Sequence, residues 1–384
     1  MHNLSNGRHY LAIPGPSVMP DRVLQAMHQA APNIYEGDLH HLVHSLVPDL
    51  KHIAQTEQSL AMFICNGHGT WEACLTNTMS RDDHVLVLVT GRFGRLWAQV
   101  ANDLGVKAEI LDFGLAQPVD LDVVADHLKQ RDPARYKAIL VCQTDTATSV
   151  RNNIQGLSLV VRQYAPDALL MVDAMASLGC DKLMMDEWDI DVVIAGSQKG
   201  LMTPPGLGFV YFSGRAAQAR QSAGLVTPYW DWQPRAHPTE FTQYFWGTAP
   251  THHLFALREA LNMMKEEGLV QIWARHQELS AIIWTHIERW SETTSVRFNI
   301  TNENDRAHSV TALKMEPPLG TQLRQICERE MGLTLGIGLG MAPPGSKESD
   351  GFFRIGHMGH VNAHMVYGML GCIESVLERP QFTL

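Results

Sequence analysis

The sequence predicts an α/β fold: a large, mostly parallel sheet with one antiparallel strand, followed by a smaller C-terminal α+β domain. Three observations predict it. Between residues 60 and 195, short apolar runs alternate with helical patterns, as right-handed βαβ units require. Only eleven residues separate Ala195 from Leu207, three of them glycine and two proline. That is too short for a parallel crossover with its helix, so residues 207–212 should run antiparallel. Beyond residue 265, long helices lead into strands and helices that no longer alternate regularly. The expected division is an arm at 1–15, a large domain at 16–265 and a small domain at 266–384.

The elements follow in order. Residues 1–12 read as an arm that ends in the rigid turn Ile13-Pro14-Gly15-Pro16-Ser17. Helical spacing runs from Asp21 to Ala31 and from Leu39 to Gln58, around a loop at 33–38. Leu60–Cys65 reads as a buried strand that runs into Asn66-Gly67-His68-Gly69-Thr70, with a helix from Trp71 to Met79. Strands at 84–90, 107–112, 138–142, 168–172 and 191–195 alternate with helices ending at 104, 130 and 164. Residues 222–250, rich in Pro, Trp and Tyr, are too long and irregular for a simple linker and read as a wrapping or interface loop. Helices 254–267 and 269–290 precede strands at 309–315, 333–335 and 352–355 and helices near 320–331 and 362–378.

Composition removes several classes of function. The chain has 384 residues, 45% hydrophobic and 18% charged, with no biased segment. A formal charge of −10 argues against nucleic acid or an anionic membrane as the main partner. No apolar run approaches a membrane span, and residues 1–5 lack the core of a signal peptide. Six cysteines without a Cys-x-x-Cys pair fit a reduced, cytoplasmic setting. His40, His41, His44, His252 and His253 lack acidic or cysteine partners at ligand spacing, so no metal is expected.

Chemistry concentrates at strand exits, where open α/β sheets bind ligands. Asp191–Ala195 climbs out of the core and delivers Gly196-Ser197-Gln198-Lys199-Gly200. A lysine there is desolvated, which lowers its pKa and favours the free amine that attacks a carbonyl; the plainer reading is a strand-end lysine in a polar loop. Other exits carry Gly67-His68-Gly69-Thr70, a strand–turn–helix arrangement that aims backbone N–H groups at an anion, then Phe93, Thr146 and Asp173. Singly, Asp173 could cap the next segment, Phe93 could be core and Thr146 a turn hydroxyl. Jointly they suit pyridoxal 5′-phosphate, which needs a lysine, a carboxylate for the pyridine nitrogen, an anion cradle and a stacking ring.

These stretches also resemble the class V aminotransferases of fold-type I, nearest to the alanine/serine/aspartate–glyoxylate group. The resemblance runs over nearly the whole chain. It is carried by Pro14-Gly15-Pro16, Gly67-His68-Gly69-Thr70, Val172-Asp173-Ala174-Met175-Ala176-Ser177, Gly196-Ser197-Gln198-Lys199, Pro204-Pro205-Gly206 and Arg354-Ile355-Gly356-His357-Met358-Gly359. It implies that Lys199 bonds to the cofactor and moves the proton between Cα and C4′, and that Asp173 pairs with the ring nitrogen. Phe93 would stack on the ring where many relatives have Trp, and Thr146 would support it. His68, Gly69, Thr70 and Gln198 would bind phosphate, with Thr248 reaching in from the partner subunit of a homodimer with shared sites. Arg354 would grip the substrate carboxylate.

Two departures matter. Phe245 stands where many relatives have a phosphate-binding Tyr, unless Tyr244 substitutes. Tyr35-Glu36 replaces a commoner loop pattern; Tyr35 would face substrate, and Glu36 there would disfavour acidic donors. The expected reaction moves an amino group from a small, serine- or alanine-like amino acid to glyoxylate or another small 2-oxo acid. Alternatives are a pyridoxamine–pyruvate-type aminotransferase, another class V chemistry such as a lyase or desulfurase, and a non-catalytic cofactor-binding protein. Cys327 and Cys372 lie in helical patterns and suit no desulfurase loop.

Overall fold

The computed structural model describes residues 4–132 and 134–383. Its N-terminal elements are strand β1 (Tyr10–Ala12) and helices α1 (Asp21–Met27) and α2 (Asp38–Ala54). The alternating region follows: β2 (Ser59–Cys65), α3 (Gly67–Thr78), β3 (His84–Val89), α4 (Arg92–Asp103), β4 (Lys107–Asp112), α5 (Leu121–Lys129), β5 (Ala138–Cys142), α6 (Ile154–Tyr164), β6 (Leu169–Asp173), β7 (Val192–Gly196) and β8 (Gly206–Phe212). These strands form one seven-stranded sheet in the order β2-β8-β7-β6-β5-β3-β4. Every neighbouring pair is parallel except the two made by β8, which runs antiparallel to both β7 and β2. The short link between Ala195 and Leu207 dictates that reversal.

Both faces of this sheet are buried, which is why its strands read as continuous apolar runs. On β3, Val85, Val87 and Val89 pack into one core and Leu86 and Leu88 into the other. The same alternation divides Ala138/Leu140 from Ile139/Val141 and Val192/Ile194 from Val193/Ala195. Helices α3 and α4 cover the first core; α2, α5 and α6 cover the second. Each fully buried Val or Leu contributes about 1.5–3 kcal/mol, and packing on both faces holds the strand exits in place.

Past β8, two short helices, α7 (Gly214–Ala219) and α8 (Gln233–Ala236), lead into the long helices α9 (Thr251–Glu267) and α10 (Leu269–Thr293). The irregular 222–250 segment is anchored from inside. Trp232 stacks on Phe212 at 4.3 Å, and buried Arg235 donates to the carbonyls of Met62, Tyr229 and Tyr244. The rest of the chain is β9 (Arg297–Phe298), β10 (Val310–Lys314), α11 (Leu319–Met331), β11 (Leu333–Ile337), β12 (Phe352–Gly356) and α12 (Ala363–Leu377). A second sheet, in the order β1-β11-β12-β10-β9, is packed against α10, α11 and α12.

Some boundaries differ from the expectation, for identifiable reasons. Within the expected arm, Tyr10–Ala12 pair parallel with β11. Helix α3 starts four residues earlier than Trp71, because the Asn66 side chain accepts from the N–H groups of His68 and Gly69 and caps the helix. Helix α2 stops at Ala54, where Gln55 turns left-handed, rather than at Gln58. Among the described residues no helix is long and apolar enough to cross a membrane.

Candidate active site

At the carboxyl edge of the large sheet, β7 gives way to Ser197, Gln198 and Lys199. The Ser197 hydroxyl donates to the Pro204 carbonyl (2.6 Å) and accepts from the Leu207 N–H (3.2 Å), bracing the tight return to β8. Ser17 ties the same loop to the N-terminal turn, its N–H to the Gln198 carbonyl (2.9 Å) and its hydroxyl to the Lys199 carbonyl (2.7 Å). The Lys199 ammonium donates to the Pro14 carbonyl. Gly15 adopts φ +105, and a β-carbon there would sit 2.7 Å from Lys199 Cε, so the Pro-Gly-Pro turn is moulded to the lysine. Burial, helped by the Arg354 charge and opposed by Asp173, pulls the Lys199 amine down from 10.5 to about 8.

Lys199 opens onto a cavity of about 220 Å³ that five strand exits share. Asp173, at the end of β6 and 3% exposed, lines it. Its Oδ1 accepts from the Met175 N–H (2.7 Å) and its Oδ2 from the Trp71 indole N–H (2.8 Å). Burial raises its carboxyl to about 6 against those donors; nearby Asp145 raises it further and Lys199 lowers it. Phe93, at the first turn of α4, and Thr144 and Thr146, beyond β5, form another wall. Among the described residues, two buried polar atoms of the lining side chains have no hydrogen-bond partner: Gln198 Oε1 and Thr144 Oγ1. At Gly67 and Gly196 a β-carbon would strike the Met175 side chain (2.9 and 2.5 Å), so these two glycines make room for Met175 in the cavity wall.

The expected residues are not all assembled here. Lys199, Asp173, Phe93, Thr146, His68 and Gln198 line the cavity; Gly69 and Thr70 do not, Gly69 lying against Cys65 and Trp230 and the Thr70 hydroxyl donating to the Gly67 carbonyl (2.8 Å). Arg354, 6% exposed, stands behind Thr146: Nη1 donates to the Thr146 carbonyl and Nε to the Ile337 carbonyl, both at 2.7 Å. Among the described residues its Nη2 has no hydrogen-bond partner in the protein. Burial lowers this guanidinium to about 10, still charged at neutral pH. Tyr35 is 80% exposed, Glu36 and Thr248 are also exposed, and none of the three lines the cavity. Phe245 is buried in the core, where Tyr244 packs beside it.

Sequence reasoning passed over Trp71, Asp145 and Thr144. Trp71 carries a signal, an indole one turn into the helix after an Asn-Gly strand exit, but its contact with Asp173 exists only once β2 and β6 share a sheet.

The family model described as "Aminotransferase class-V" matches residues 9–355. The serine–glyoxylate aminotransferase of Arabidopsis thaliana is 32% identical over 374 residues, which covers 97% of this chain and 91% of that protein. The serine–glyoxylate aminotransferase of Methylorubrum extorquens is 32% identical over 382 residues, covering 97% and 91%. Among solved structures, an alanine–glyoxylate aminotransferase from Nostoc sp. superposes with a TM-score of 0.87 at 24% identity, over 98% of this chain and 97% of that one.

Proposed function

The chain belongs to the class V aminotransferases, and from that premise we propose that it moves the amino group of a small, serine- or alanine-like amino acid to glyoxylate or a similar small 2-oxo acid. The observation that carries this reading is one cavity shared by a lysine amine near 8 and a buried carboxylate with N–H donors on both oxygens. The two relatives named for serine and glyoxylate support the choice of substrates.

Pyridoxal 5′-phosphate is the cofactor the family implies, and the residues present fit it. One cavity offers a buried amine at Lys199, a buried carboxylate at Asp173 and an aromatic ring at Phe93, and among the described residues the Thr144 hydroxyl in its lining has no hydrogen-bond partner. Bound there, the cofactor supplies a carbonyl carbon for amines and a ring that accepts electrons from the substrate Cα. Lys199 would hold it and, as a free amine, would carry the proton removed from the substrate Cα. Asp173 keeps the ring nitrogen protonated, a task that the Trp71 and Met175 donors favour by stabilising the charged carboxylate. Phe93 would pack against its ring, and His68 and Gln198 would hold its phosphate beside the first turn of α3, where the Asn66 side chain already accepts from the His68 and Gly69 N–H groups.

Arg354 receives the substrate carboxylate through Nη2, the nitrogen that its two carbonyl contacts leave unused. In this reading the enzyme is a homodimer, with Thr248 of the partner subunit at the phosphate; the exposure of Thr248 supports that role. A matrix of amino donors against glyoxylate, pyruvate and oxaloacetate tests the proposal. Serine or alanine with glyoxylate should give the highest kcat/KM. Preference for an acidic donor, for pyridoxamine, or for ammonia-releasing elimination would replace it.

A further inference from the structure

Asp145 is fully buried, an expensive state for a carboxylate, and among the described residues it forms no ion pair, although the Arg354 charge acts on it through space. Its oxygens are nonetheless satisfied. Oδ2 accepts from the N–H groups of Phe93 (2.8 Å) and Gly94 (3.3 Å), and Oδ1 from that of Ala147 (3.0 Å). The first two belong to the first turn of α4, whose own N-cap residue, Gly91, has no side chain to offer. Asp145, from the loop after β5, is therefore the cap of a helix distant in sequence. Gly91 must be glycine for this to work: a β-carbon there would lie 2.5 and 2.6 Å from the Asp145 oxygens. One residue on, the Thr146 carbonyl takes the Arg354 guanidinium, and Thr144 and Thr146 flank the cavity.

We propose that Asp145 is a positioning residue, which locks the Phe93 wall, the Thr144–Thr146 wall and Arg354 into a single register by capping α4 from the β5 loop. The roles of Phe93 and Arg354 rest on the function proposed above; the cap itself does not. Because the carboxylate uses both oxygens as acceptors, asparagine cannot replace it. Its amide nitrogen would face either the α4 N–H pair or the Ala147 N–H. A residue present for packing alone would tolerate that change.

The test uses D145N and, independently, G91A, which crowds the carboxylate without removing its charge. In cofactor-free protein, amide exchange at Phe93 and Gly94 should accelerate about tenfold in both variants, the scale of a lost cap. In loaded enzyme, half-saturation by both amino donor and 2-oxo acid should rise about tenfold with a smaller loss in kcat, and cofactor affinity should weaken. Should D145N fail to fold, G91A carries the same readouts. Unchanged exchange at Phe93 and Gly94 in either folded variant overturns the cap. Accelerated exchange with unchanged half-saturation overturns the positioning role. Accelerated exchange in the variants, alongside a cofactor-loaded wild type that transaminates no donor, upholds the cap and defeats the functional reading instead.

Discussion

Replacing Lys199 with methionine should abolish turnover and make the cofactor-free protein more stable at pH 7. Burial holds this amine at about 8 instead of 10.5, and at 1.36 kcal/mol per pH unit that displacement is a cost of about 3 kcal/mol whenever the amine is protonated. Methionine of similar length removes the charge but leaves the Pro14 carbonyl without its donor, a loss of about 1 kcal/mol. The net gain at pH 7 is about 2 kcal/mol, or roughly 2–3 °C in melting temperature for a chain this long. The sign with pH is determined. Between pH 8 and 10.5 the unfolded chain holds a proton that the folded chain has released, so the wild type gains stability as pH rises. The gap between the two proteins should therefore narrow through that window and invert above it, leaving the wild type ahead by the hydrogen bond alone, about 1 kcal/mol. Thermal melts of both cofactor-free proteins from pH 7 to 10.5 measure this. A variant less stable than wild type at pH 7, or a gap indifferent to pH, would refute the claim that Lys199 is held desolvated for chemistry.

Further expectations concern the groups around it. Trp71→Phe removes a donor to ionised Asp173 worth about 1.5 kcal/mol, so the acid limb of the kcat/KM profile should move up by about one pH unit; an unmoved limb refutes the pairing. Arg354→Lys cannot keep two carbonyl contacts and also receive a carboxylate, so kcat/KM for both substrates should fall by about two orders of magnitude, chiefly through KM. Steady-state kinetics with each substrate varied in turn measures it. Thr248→Ala should leave the melting temperature of the cofactor-free protein within about 1 °C, since the residue is exposed, yet weaken cofactor binding in the dimer; equal cofactor affinity counts against a shared site.

Much of the architecture is legible in the sequence because it follows from local rules. A buried strand needs an apolar run, and eleven residues between Ala195 and Leu207 leave no room for a crossover helix, so the reversal of β8 follows from length alone. The strand exits then bring Lys199, Asp173, Phe93, Thr146, His68 and Gln198 to one cavity. What stays hidden depends on tertiary neighbours. Asp145 reads as one polar residue in a polar loop; only folding reveals it as the cap of α4. Trp71 reads as helix core until Asp173 arrives beside it. The start of α3 is misjudged because Gly67 and Gly69 look like turn residues, whereas the Asn66 cap recruits them into the helix. Strand β1 is three residues long and exists only because β11 offers it an edge.

The most direct measurement follows the nitrogen. With the donor's amino group labelled with heavy nitrogen, the loaded enzyme should deliver the label to glycine formed from glyoxylate, and Lys199→Met should deliver none. Label appearing as free ammonia, or undiminished transfer by the lysine-less variant, would contradict the account.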